Sequence, residues 1–542
     1  MSSEPNRILT TKGYSIRKSS LSAEETERIQ KELLVAPKVN SKYMGKAALE
    51  ALSFKVYRES PSRWYLPRAW ATEVFGPPEH TVIPEGTDLR SDLVFQGKPY
   101  DYQEAIMTSF VNAGANGLIC VPCGKGKTFM ALGIAAKLQK RFLVVVDKEF
   151  LMNQWKGEME ALFPGIRIGI IQEDNKQIGD IEEPAVKEPS IAEMKETLRK
   201  LGLKVGGTKE VLLARLKEAN LALSPAAEPV VTEKRQYDCS IALIQTLIRR
   251  DFGPTDFENF GFTIFDECHH LGAQHFSKTL QRVQTAKMLG LSATPTREDG
   301  LTKVFTWFIG EPVYWEKTRE PDPTVEVKGV SIETQDVVYN TIPTDWRGEP
   351  VTARLLGNVL GCVERNKKIL EWILRLMVEP RRRLLVLSER IGHLNNIEEM
   401  VRAADAELTL SYYVGGMKEE VREAGAATAR IILASYAMAS EAMNIKTLNT
   451  VLLASPRKAV EQSTGRILRI RPDQREVPPI IVDIIDSHQM YQSQWRKRLE
   501  YYKKCSYQIE RWSMTGETGT PLVFKTVKAP KSAYKCLIDS SQ

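Results

Sequence analysis

The run VPCGKGKT, at residues 121–128, has the residue types of a phosphate-binding loop. It lies between the apolar stretch GLIC and the helical pattern FMALGIAAKLQK, where a strand would turn into a helix. Small residues there let backbone N–H groups face phosphates, a lysine offsets the charge of the β and γ groups, and a hydroxyl helps to hold magnesium. A simple glycine turn, the structural alternative, would leave Lys127 without a purpose. The residues predicted to hold the nucleotide are Gly124, Lys125, Gly126, Lys127 and Thr128.

A pair of carboxylates could supply the second half of such a site. Asp266 and Glu267 follow four apolar residues in FTIFDECHH, at the end of a predicted strand. Asp266 is placed to bind magnesium, and Glu267 to orient or deprotonate an attacking water. An isolated Asp-Glu pair is usually a solvated turn, but the apolar strand before it and the phosphate loop upstream favour the catalytic interpretation.

The elements that must position these residues alternate between apolar β-branched runs and helical patterns. From about Leu89 to Glu311 the runs are LVVVD, IALIQ, FTIFDE and MLGLSAT, which is typical of a parallel sheet covered by helices. A second set follows from about Arg354, with RRLLVLSER, ARIILAS, TVLLASP and PIIVDII. The predicted fold class is therefore α/β, with two parallel-sheet domains in tandem.

Smaller units lie around and within these domains. Ser22 followed by Glu25 indicates a capping box at the start of a helix in a small α+β unit. About sixty residues rich in Glu, Lys and Pro interrupt the first α/β domain, and two short amphipathic helices in them flank LGLKVGGTK. The predicted domains are an N-terminal α+β domain (1–88), a first α/β domain (89–311), an inserted helical module (187–222), a linker (312–353), a second α/β domain (354–487) and a basic aromatic tail (488–542).

Composition restricts the class of protein. A chain of 542 residues is too long for one hydrophobic core, and its 42% hydrophobic content can fill several. The sequence contains no run of about 18 apolar residues, and MSSEPNRILTTK lacks the apolar region of a signal peptide. The seven cysteines form no regular disulfide framework. We therefore expect a soluble intracellular protein with no membrane partner, and a monomer because the sequence shows no extended heptad seam.

The tail allows two interpretations. From Met490 to Gln542 it carries ten lysines and arginines against four acidic residues, within a chain whose net charge is +7. Aromatic residues are interleaved with these cations, as in surfaces that stack on nucleic acid. The alternative is an amphipathic helix with an aromatic core face, and the sequence does not decide between the two. The aromatic residues are Tyr491, Trp495, Tyr501, Tyr502, Tyr507 and Trp512.

Taken together and in order, the motifs resemble those of the superfamily 2 helicases. They cover roughly residues 95–470, and the ordered set is far more specific than any one motif. The matching segments are PYDYQ for the Q motif, VPCGKGKT for motif I, VVDKEFLMNQW for Ia, IALIQTL for Ic, DECHH for II, LSATP for III, SEAMNI for V and QSTGRILR for VI.

This resemblance implies two RecA-like domains that hold ATP and Mg²⁺ in the cleft between them. Gln103 in PYDYQ would read the adenine base. Arg466 and Arg469 in QSTGRILR would reach across the cleft as arginine fingers, and Gln462 would join the same γ-phosphate network. Such fingers accelerate phosphoryl transfer by about 10³–10⁵-fold elsewhere. Without the preceding Gln and Gly, an R-x-x-R pair is most often a solvated helix face.

The resemblance also implies residues that contact nucleic acid. Gln154 in motif Ia, with Gln245 and Thr246 in motif Ic, would touch the sugar-phosphate backbone, independently of sequence and sensitive to salt. Ser292 and Thr294 in LSATP would link hydrolysis to the grip on the strand.

Two further segments point toward DNA. Arg297 begins an Arg-Glu-Asp triplet that resembles the element tied to duplex opening in the xeroderma pigmentosum group B branch of these helicases. The inserted module resembles a SAP module, which implies DNA binding through Lys204, Lys209 and Arg215. A protein-docking hairpin is the alternative for this module.

Some positions depart from the helicase pattern. Val121, Cys123 and Ala442 replace the usual small or hydroxyl residues, and none of them removes a charge at the phosphates. Asn444 replaces the usual Asp of motif V, which puts in doubt how that motif couples ATP to strand movement.

The N-terminal unit, with YSIRKSS, FKVYRES and YLPRAW, resembles the leader of helicases from large cytoplasmic DNA viruses, near the poxvirus transcript-release and UvsW-like enzymes. The expected function is an ATP- and Mg²⁺-dependent helicase moving 3′ to 5′ on single-stranded and duplex DNA. A viral source would imply transcript release with RNA polymerase as partner, in the host cytoplasm or virion. The alternatives are a repair or recombination helicase, an RNA-directed helicase and a non-hydrolysing scaffold.

Overall fold

The structure is a computed structural model in which three α/β units follow one another along the chain. It describes residues 5–38, 51–122, 124–181, 195, 198–199, 202–208, 211–212, 214–216, 236–253, 255–272, 275, 277–293, 295–297, 299–316, 320–441, 443, 445–470 and 472–513.

The first unit is a small mixed domain. Its elements are β1 (Arg7–Thr10), β2 (Gly13–Arg17), α1 (Ala23–Glu32), β3 (Leu34–Val35), β4 (Phe54–Lys55), β5 (Arg58–Glu59), β6 (Arg63–Leu66), α2 (Arg68–Phe75) and β7 (His80–Thr81). Five strands form a sheet in the order β5-β6-β2-β1-β7, and β3 pairs with β4. The predicted capping box is confirmed, because the Ser22 hydroxyl accepts from the Glu25 N–H and the Glu25 carboxylate accepts from the Ser22 N–H.

A buried arginine fastens this domain to the next one. Arg68, at the start of α2, is 7% exposed. Its guanidinium donates to the carbonyl oxygens of Phe308 (3.1 Å) and Thr285 (2.8 Å) and to Oδ1 of Asn116 (2.7 Å). Because desolvation disfavours the charged form, the pKa of Arg68 is lowered to about 10. The N-terminal domain is therefore anchored by directed hydrogen bonds as well as by apolar packing.

The second unit is an eight-stranded sheet covered by helices. Its elements are α3 (Asp101–Asn112), β8 (Asn116–Cys120), α4 (Lys127–Leu138), β9 (Phe142–Val146), α5 (Glu149–Leu162), β10 (Ile168–Gln172), β11 (Asn175–Lys176), β12 (Cys239–Leu243), α6 (Ile244–Arg249), β13 (Phe262–Phe265), α7 (Ser277–Arg282), β14 (Lys287–Ser292), α8 (Thr302–Ile309) and β15 (Pro312–Trp315). The strand order is β11-β10-β12-β9-β13-β14-β8-β15, and all pairings except β10 with β11 are parallel. Every residue of β9 is buried, as expected for a strand covered on both faces.

The third unit is a seven-stranded sheet, parallel throughout. Its elements are β16 (Glu326–Ser331), α9 (Val337–Asn340), α10 (Thr352–Gly361), α11 (Val363–Met377), β17 (Leu384–Ser388), α12 (Ile391–Ala404), β18 (Leu410–Tyr413), α13 (Glu419–Thr428), β19 (Ile431–Ser435), α14 (Tyr436–Glu441), β20 (Thr450–Leu453), α15 (Glu461–Thr464), β21 (Ile480–Ile485), α16 (Gln489–Lys504) and β22 (Gln508–Trp512). The strand order is β18-β19-β17-β20-β21-β16-β22. The predicted α/β class with two parallel-sheet domains in tandem is confirmed.

The two sheets extend beyond the boundaries that the sequence predicted. Strands β15 and β16 both lie in the predicted linker, yet β15 pairs with β8 of the first sheet and β16 pairs with β21 of the second. Helix α16 and strand β22 come from the predicted tail, and β22 forms the edge of the second sheet beside β16. Short strands of four to six residues carry too little periodicity to be read from sequence.

The nucleic-acid interpretation of the tail aromatics is wrong for most of them. Tyr491, Trp495 and Tyr502 lie on one face of α16 and are no more than 4% exposed. Tyr507 and Trp512 are also buried. Their rings pack into the core of the second sheet, so the amphipathic-helix alternative is confirmed for this segment. Within this core, Arg498 of α16 lies 5.9 Å from the centroid of the Trp495 ring, so this cation and ring pack together away from solvent.

Only part of the inserted module lies within the described residues. Leu198 and Leu212 are fully buried against Val205 and Leu216, in a core separate from the others. One Arg215 nitrogen donates to the carbonyl oxygens of Lys204 (2.9 Å) and Gly206 (2.6 Å). Arg215 thus holds the loop between the helices, and Lys204 is exposed.

The second sheet contains two fully buried ion pairs. Arg365 on α11 donates Nε to Oδ1 of Asp486 (2.7 Å), and neither side chain is exposed. Arg498 on α16 makes two hydrogen bonds of 2.8 Å to Asp483 in β21. These pairs connect helices to the ends and interior of the strand beneath them.

No helix within the described ranges is long and apolar enough to cross a membrane.

Candidate functional site

The loop between β8 and α4 has the backbone of a phosphate cradle. Gly124 and Gly126 have φ values of 87° and 81°, in the left-handed region that favours glycine. A Cβ at Gly126 would lie 2.5 Å from Nε2 of Gln103, so a side chain there would collide as well as strain the backbone. Helix α4 begins at Lys127, with Thr128 in its first turn. Both residues therefore stand at a helix N-terminus, which favours anions.

The two carboxylates meet this loop at one edge of the sheet. Because β13, β14 and β8 are parallel neighbours, the residues that follow them gather at the same end. Nζ of Lys127 lies 3.0 Å from Oε1 of Glu267. Glu267 has φ of 42°, a conformation that costs a non-glycine residue free energy and is found most often at functional sites. The structure therefore brings together the two halves of the predicted nucleotide site.

Trp155 is a member of this site that the sequence analysis did not single out. Its indole Nε1 donates to Oδ2 of Asp266 (2.8 Å), and Oδ1 of Asp266 accepts from the Glu267 N–H (2.9 Å). Desolvation, together with the charge of Glu267, raises the pKa of Asp266 to about 6. Trp155 is the last residue of VVDKEFLMNQW and is almost fully buried on α5, so its only sequence signal was a tryptophan within a helicase-like motif.

Glu267 stays ionised and keeps one oxygen without a hydrogen bond. Desolvation alone would raise its pKa, but the charge of Lys127 and the hydrogen bond from Lys127 lower it overall. Its Oε2 is buried and accepts no hydrogen bond, and Nδ1 of His269 lies 3.4 Å from it. Desolvation lowers the pKa of His269 to about 4, so this imidazole is neutral at pH 7. His269 Nδ1 lies 3.0 Å from Oγ of Ser292, which connects the carboxylate segment to the end of β14.

The donor set at this sheet edge suits a magnesium-nucleotide complex. Mg²⁺ prefers hydroxyl and carboxylate oxygens, which Thr128 and Asp266 carry. The left-handed glycines leave room for phosphates to approach the backbone. The buried, unbonded Oε2 of Glu267 is an acceptor that a water could satisfy.

A cavity of about 530 Å³ lies between the two parallel-sheet domains, beside this loop. Gln103 and Tyr102 line one wall of it, and Arg469 and Arg475 line another. Nε2 of Gln103 donates to the carbonyl of Lys125 (3.2 Å), and Oε1 of Gln103 accepts from the Tyr100 N–H (3.0 Å). Gln103 therefore supports the phosphate loop from behind, in addition to the adenine contact predicted for it.

The predicted residues of the second parallel-sheet domain do not all lie at this cavity. Arg469 lines the cavity between the domains and donates to the carbonyl of Met443 (2.7 Å). Arg466 is 9% exposed and donates to the carbonyls of Ala439 (2.6 Å) and Met443 (2.8 Å) within its own domain. Gln462 is half-buried on α15. Among these three, only Arg469 is at the wall of the described cavity.

The predicted strand contacts lie at a second cavity, of about 630 Å³. Gln245 and Thr246, at the start of α6, line it together with the cations Lys148, Arg249 and Arg250. Nε2 of Gln245 donates to the carbonyl of Asp147 (2.7 Å), and Oγ1 of Thr246 accepts from the Glu173 N–H (3.0 Å). The lining also contains the carboxylates Asp147, Glu149, Glu173 and Asp174, and Arg250 pairs with Asp174, so polar contacts rather than net positive charge would hold a strand here.

Four other predicted nucleic-acid residues within the described ranges are not in the lining of this cavity. Gln154 is half-buried on α5 and is absent from the described lining. Arg297 donates through Nε to Oδ1 of Asp299 (2.9 Å) and through another nitrogen to the carbonyl of His269, so its guanidinium holds the carboxylate segment. Lys204 and Arg215 lie in the inserted module. Lys209, Thr294, Glu298, Cys123, Ala442 and Asn444 lie outside the described residues.

We expect Trp155→Phe to move the acidic limb of any ATP turnover to higher pH. Asp266 must be ionised to hold a metal, and its pKa is already raised to about 6. The Trp155 hydrogen bond lowers that pKa, so loss of the bond raises the pKa of Asp266 further. As pH falls, Asp266 of the variant is therefore protonated, and activity is lost, at a higher pH than in the wild type. The measurement is the pH profile of kcat for both proteins. Overlapping acidic limbs would contradict the role of Trp155.

Comparison with known proteins finds similarity to a restriction-enzyme family and to viral helicases. Residues 96–297 match the family described as "Type III restriction enzyme, res subunit". The chain is 26% identical to "Putative ATP-dependent RNA helicase L396" of Acanthamoeba polyphaga mimivirus over 514 residues, which is 93% of this chain and 86% of the relative. It is 24% identical over 424 residues to "Putative ATP-dependent RNA helicase QP509L" of African swine fever virus, isolate Pig/Kenya/KEN-50/1950, which covers 72% of this chain and 69% of that one. The solved structure of T4 UvsW shares 14% identity, with a TM-score of 0.31, over 91% of this chain and 96% of that one.

Proposed function

We propose that this chain is a superfamily 2 helicase that uses ATP hydrolysis to move along DNA and to open DNA duplexes. The observation that carries the proposal is the junction of Lys127 and Glu267, 3.0 Å apart, next to Asp266 at one sheet edge. Hydrolysis needs a phosphate-binding cation, a metal-binding carboxylate and a proton acceptor, and these three residues supply them.

Each residue of this edge has a proposed part in the reaction. Lys127 and the N–H groups of the loop bind the β and γ phosphates, while Thr128 and Asp266 hold Mg²⁺, which neutralises charge on the phosphates. Glu267, through the buried Oε2, orients a water and accepts its proton. Lys127, which lowers the pKa of Glu267 in this structure, then also contacts the phosphates. The pKa of Glu267 therefore rises as nucleotide binds, which makes it a stronger base.

The second domain completes the site in this proposal. Arg469 already lines the cavity that Gln103 lines from the other side, so it can reach a γ phosphate without a large movement. Arg466 bonds to carbonyls of its own domain and would position Arg469 and motif V unless closure frees it. Repeated closing and opening of the cleft would then move the domains along a strand, with 3′ to 5′ polarity.

DNA is the preferred substrate of the proposal, and RNA is the second candidate. The SAP-like module and the Arg-Glu-Asp triplet support DNA as the substrate. The mimivirus and African swine fever virus relatives are named as RNA helicases, which supports RNA as the substrate. Similarity to viral helicases supports helicase activity. The proposed role is transcript release with RNA polymerase as partner, and repair or recombination remodelling is the other role within DNA metabolism.

The test is ATP turnover by the full chain with single-stranded DNA, duplex DNA, RNA or no polynucleotide. We expect stimulation by DNA that decreases as salt increases, because backbone contacts release counterions. Lys127→Ala should abolish turnover under every condition. Stimulation by RNA alone would replace the DNA proposal with the RNA candidate, and displacement of strands from 3′- or 5′-tailed duplexes would then give the polarity.

A further inference from the structure

A third cavity, of about 270 Å³, lies at the seam between the N-terminal domain and the first parallel-sheet domain. Lys12 and Arg58 contribute to it from the N-terminal sheet, and Phe252, Arg282 and Gln284 contribute from the segments around α6 and α7. Its volume is near the lower end of the range for small-ligand sites. None of the motifs of the nucleotide site reaches it.

The charge of this seam cavity favours an anion. Among its described lining residues, Lys12, Arg58 and Arg282 are cations and Glu258 is the single carboxylate. Within the described parts of the chain, neither arginine forms a salt bridge; Arg58 Nε donates to Oε1 of Gln281 (3.2 Å), and Arg282 donates to the carbonyls of Leu247 and Arg250. Desolvation and the charge of Arg282 both lower the pKa of Arg58, as expected for two cations that face each other.

The other lining groups favour a nucleoside unit rather than a bare anion. Phe252 and Phe257 pack with ring centroids 5.1 Å apart, and Arg282 lies 5.7 Å from the Phe252 ring, so an aromatic face stands beside the cations. Gln284 is 3% exposed, and its Oε1 accepts no hydrogen bond, while Nε2 donates to the Leu280 carbonyl (2.5 Å). A buried acceptor without a partner costs about 1–3 kcal/mol, which a ligand amine or hydroxyl would offset.

One short chain segment after α6 contributes to both the seam cavity and the predicted strand cavity. Arg249 and Arg250 at the end of α6 line the strand cavity, and Phe252 and Gly253 line the seam cavity two residues later. Arg282 bonds to the carbonyls of Leu247 and Arg250, so one guanidinium fixes the segment between the two cavities. The two cavities differ in charge, because the described lining of the strand cavity has four carboxylates and three cations and that of the seam cavity has three cations and one carboxylate.

We infer that the seam cavity binds one phosphorylated nucleoside unit of a polynucleotide, with its phosphate between Arg58, Arg282 and Lys12 and its base or sugar against Phe252 and Gln284. The N-terminal domain thereby contributes to nucleic-acid binding. The inference rests on the proposed function, since a polynucleotide is the ligand of both. Free nucleotide and inorganic phosphate share the same chemistry and are separate arms of the test.

The test compares the full chain with the double variant Lys12→Gln, Arg58→Gln, which leaves Arg282 and its structural bonds intact. Binding of fluorescent single-stranded and duplex DNA is measured by anisotropy at several salt concentrations, without ATP. Each lost phosphate contact should reduce the slope of log K against log salt by about 0.7–0.9. Lys18→Gln is the matched control, because Lys18 is a cation of the same domain, pairs with Glu59 and does not line the cavity.

A second readout is photocrosslinking of DNA that carries 5-iodouracil, followed by peptide mapping. We expect a crosslink to the segment with Phe252 and Phe257 that the double variant loses and Lys18→Gln keeps. Unchanged salt slope and crosslinks would overturn the inference while leaving the proposed function intact. The crosslinking is repeated with dAMP or inorganic phosphate as competitor, at about 1 mM, a concentration at which weak small ligands bind. Loss of the crosslink from this peptide alone would show that the cavity binds a free ligand and would overturn the inference of a polynucleotide ligand. Failure of the parent chain to bind DNA or RNA would overturn both proposals.

Discussion

Replacing Glu267 with glutamine lowers kcat for ATP hydrolysis by about 10²–10⁴-fold, the range that a positioned general base contributes. Glutamine keeps the size of the side chain and its contact with Lys127, but it cannot accept a proton from water. The lowered pKa of Glu267 keeps the carboxylate ionised across neutral pH, so the wild-type base is always ready. Affinity for ATP should be unchanged or higher, because Lys127 no longer has a competing carboxylate.

The measurement is steady-state turnover in the presence of polynucleotide, together with direct binding of a fluorescent ATP analogue. Glu104→Gln is the matched control, since Glu104 is a half-exposed carboxylate on α3 of the same domain and pairs with Lys137. It should leave kcat unchanged. Turnover by Glu267→Gln at the wild-type rate would remove Glu267 from the catalytic role.

Replacing Asp486 with asparagine destabilises the second parallel-sheet domain by about 3–5 kcal/mol, as expected when one partner of a buried ion pair is removed. Arg365 is fully buried and donates two hydrogen bonds to Asp486, of 2.7 and 3.0 Å. Its remaining NH1 already has no hydrogen-bond partner. The variant therefore leaves a buried guanidinium without a counter-charge.

Pulse proteolysis in increasing urea, with peptides from 326–512 quantified by mass spectrometry, isolates unfolding of this domain from that of the rest. The midpoint for these peptides should fall, and peptides from β8 to β14 should keep theirs. Arg402→Gln is the control, because Arg402 is half-exposed and pairs with Glu398 on the surface of α12, where ion pairs contribute little. Equal midpoints for Asp486→Asn and the wild type would contradict the stabilising role of the pair.

Local patterns were sufficient for the α/β class, the phosphate loop and the carboxylate strand. Continuous apolar runs predict buried parallel strands, and the ordered motifs predict the resemblance to superfamily 2 helicases, which the mimivirus and African swine fever virus relatives confirm. The distance between Lys127 and Glu267 followed from the rule that parallel strands end at one edge.

Contacts between distant segments were beyond such patterns. Trp155 and Asp266 are 111 residues apart in the sequence, and no periodic pattern predicts the hydrogen bond between them. The tail aromatics have the same spacing whether they face nucleic acid or a core, and only the second sheet, which buries them, decides. Arg297 likewise bonds to Asp299 and His269, because the fold brings the carboxylate segment within its reach.

The strand order of the second sheet also determines when its strands can pair during synthesis on the ribosome. Among the strands of the described residues, β16 pairs with β21 and β22, which are translated about 150 and about 180 residues after it. At about 5–20 residues per second, β16 waits on the order of 10–30 s before either neighbour exists. During that interval its backbone N–H and C=O groups are open on both edges, which is the condition under which strands pair with the wrong chain. Slow translation between β16 and β21 should therefore lower the yield of soluble chain, and chaperone supply should restore it.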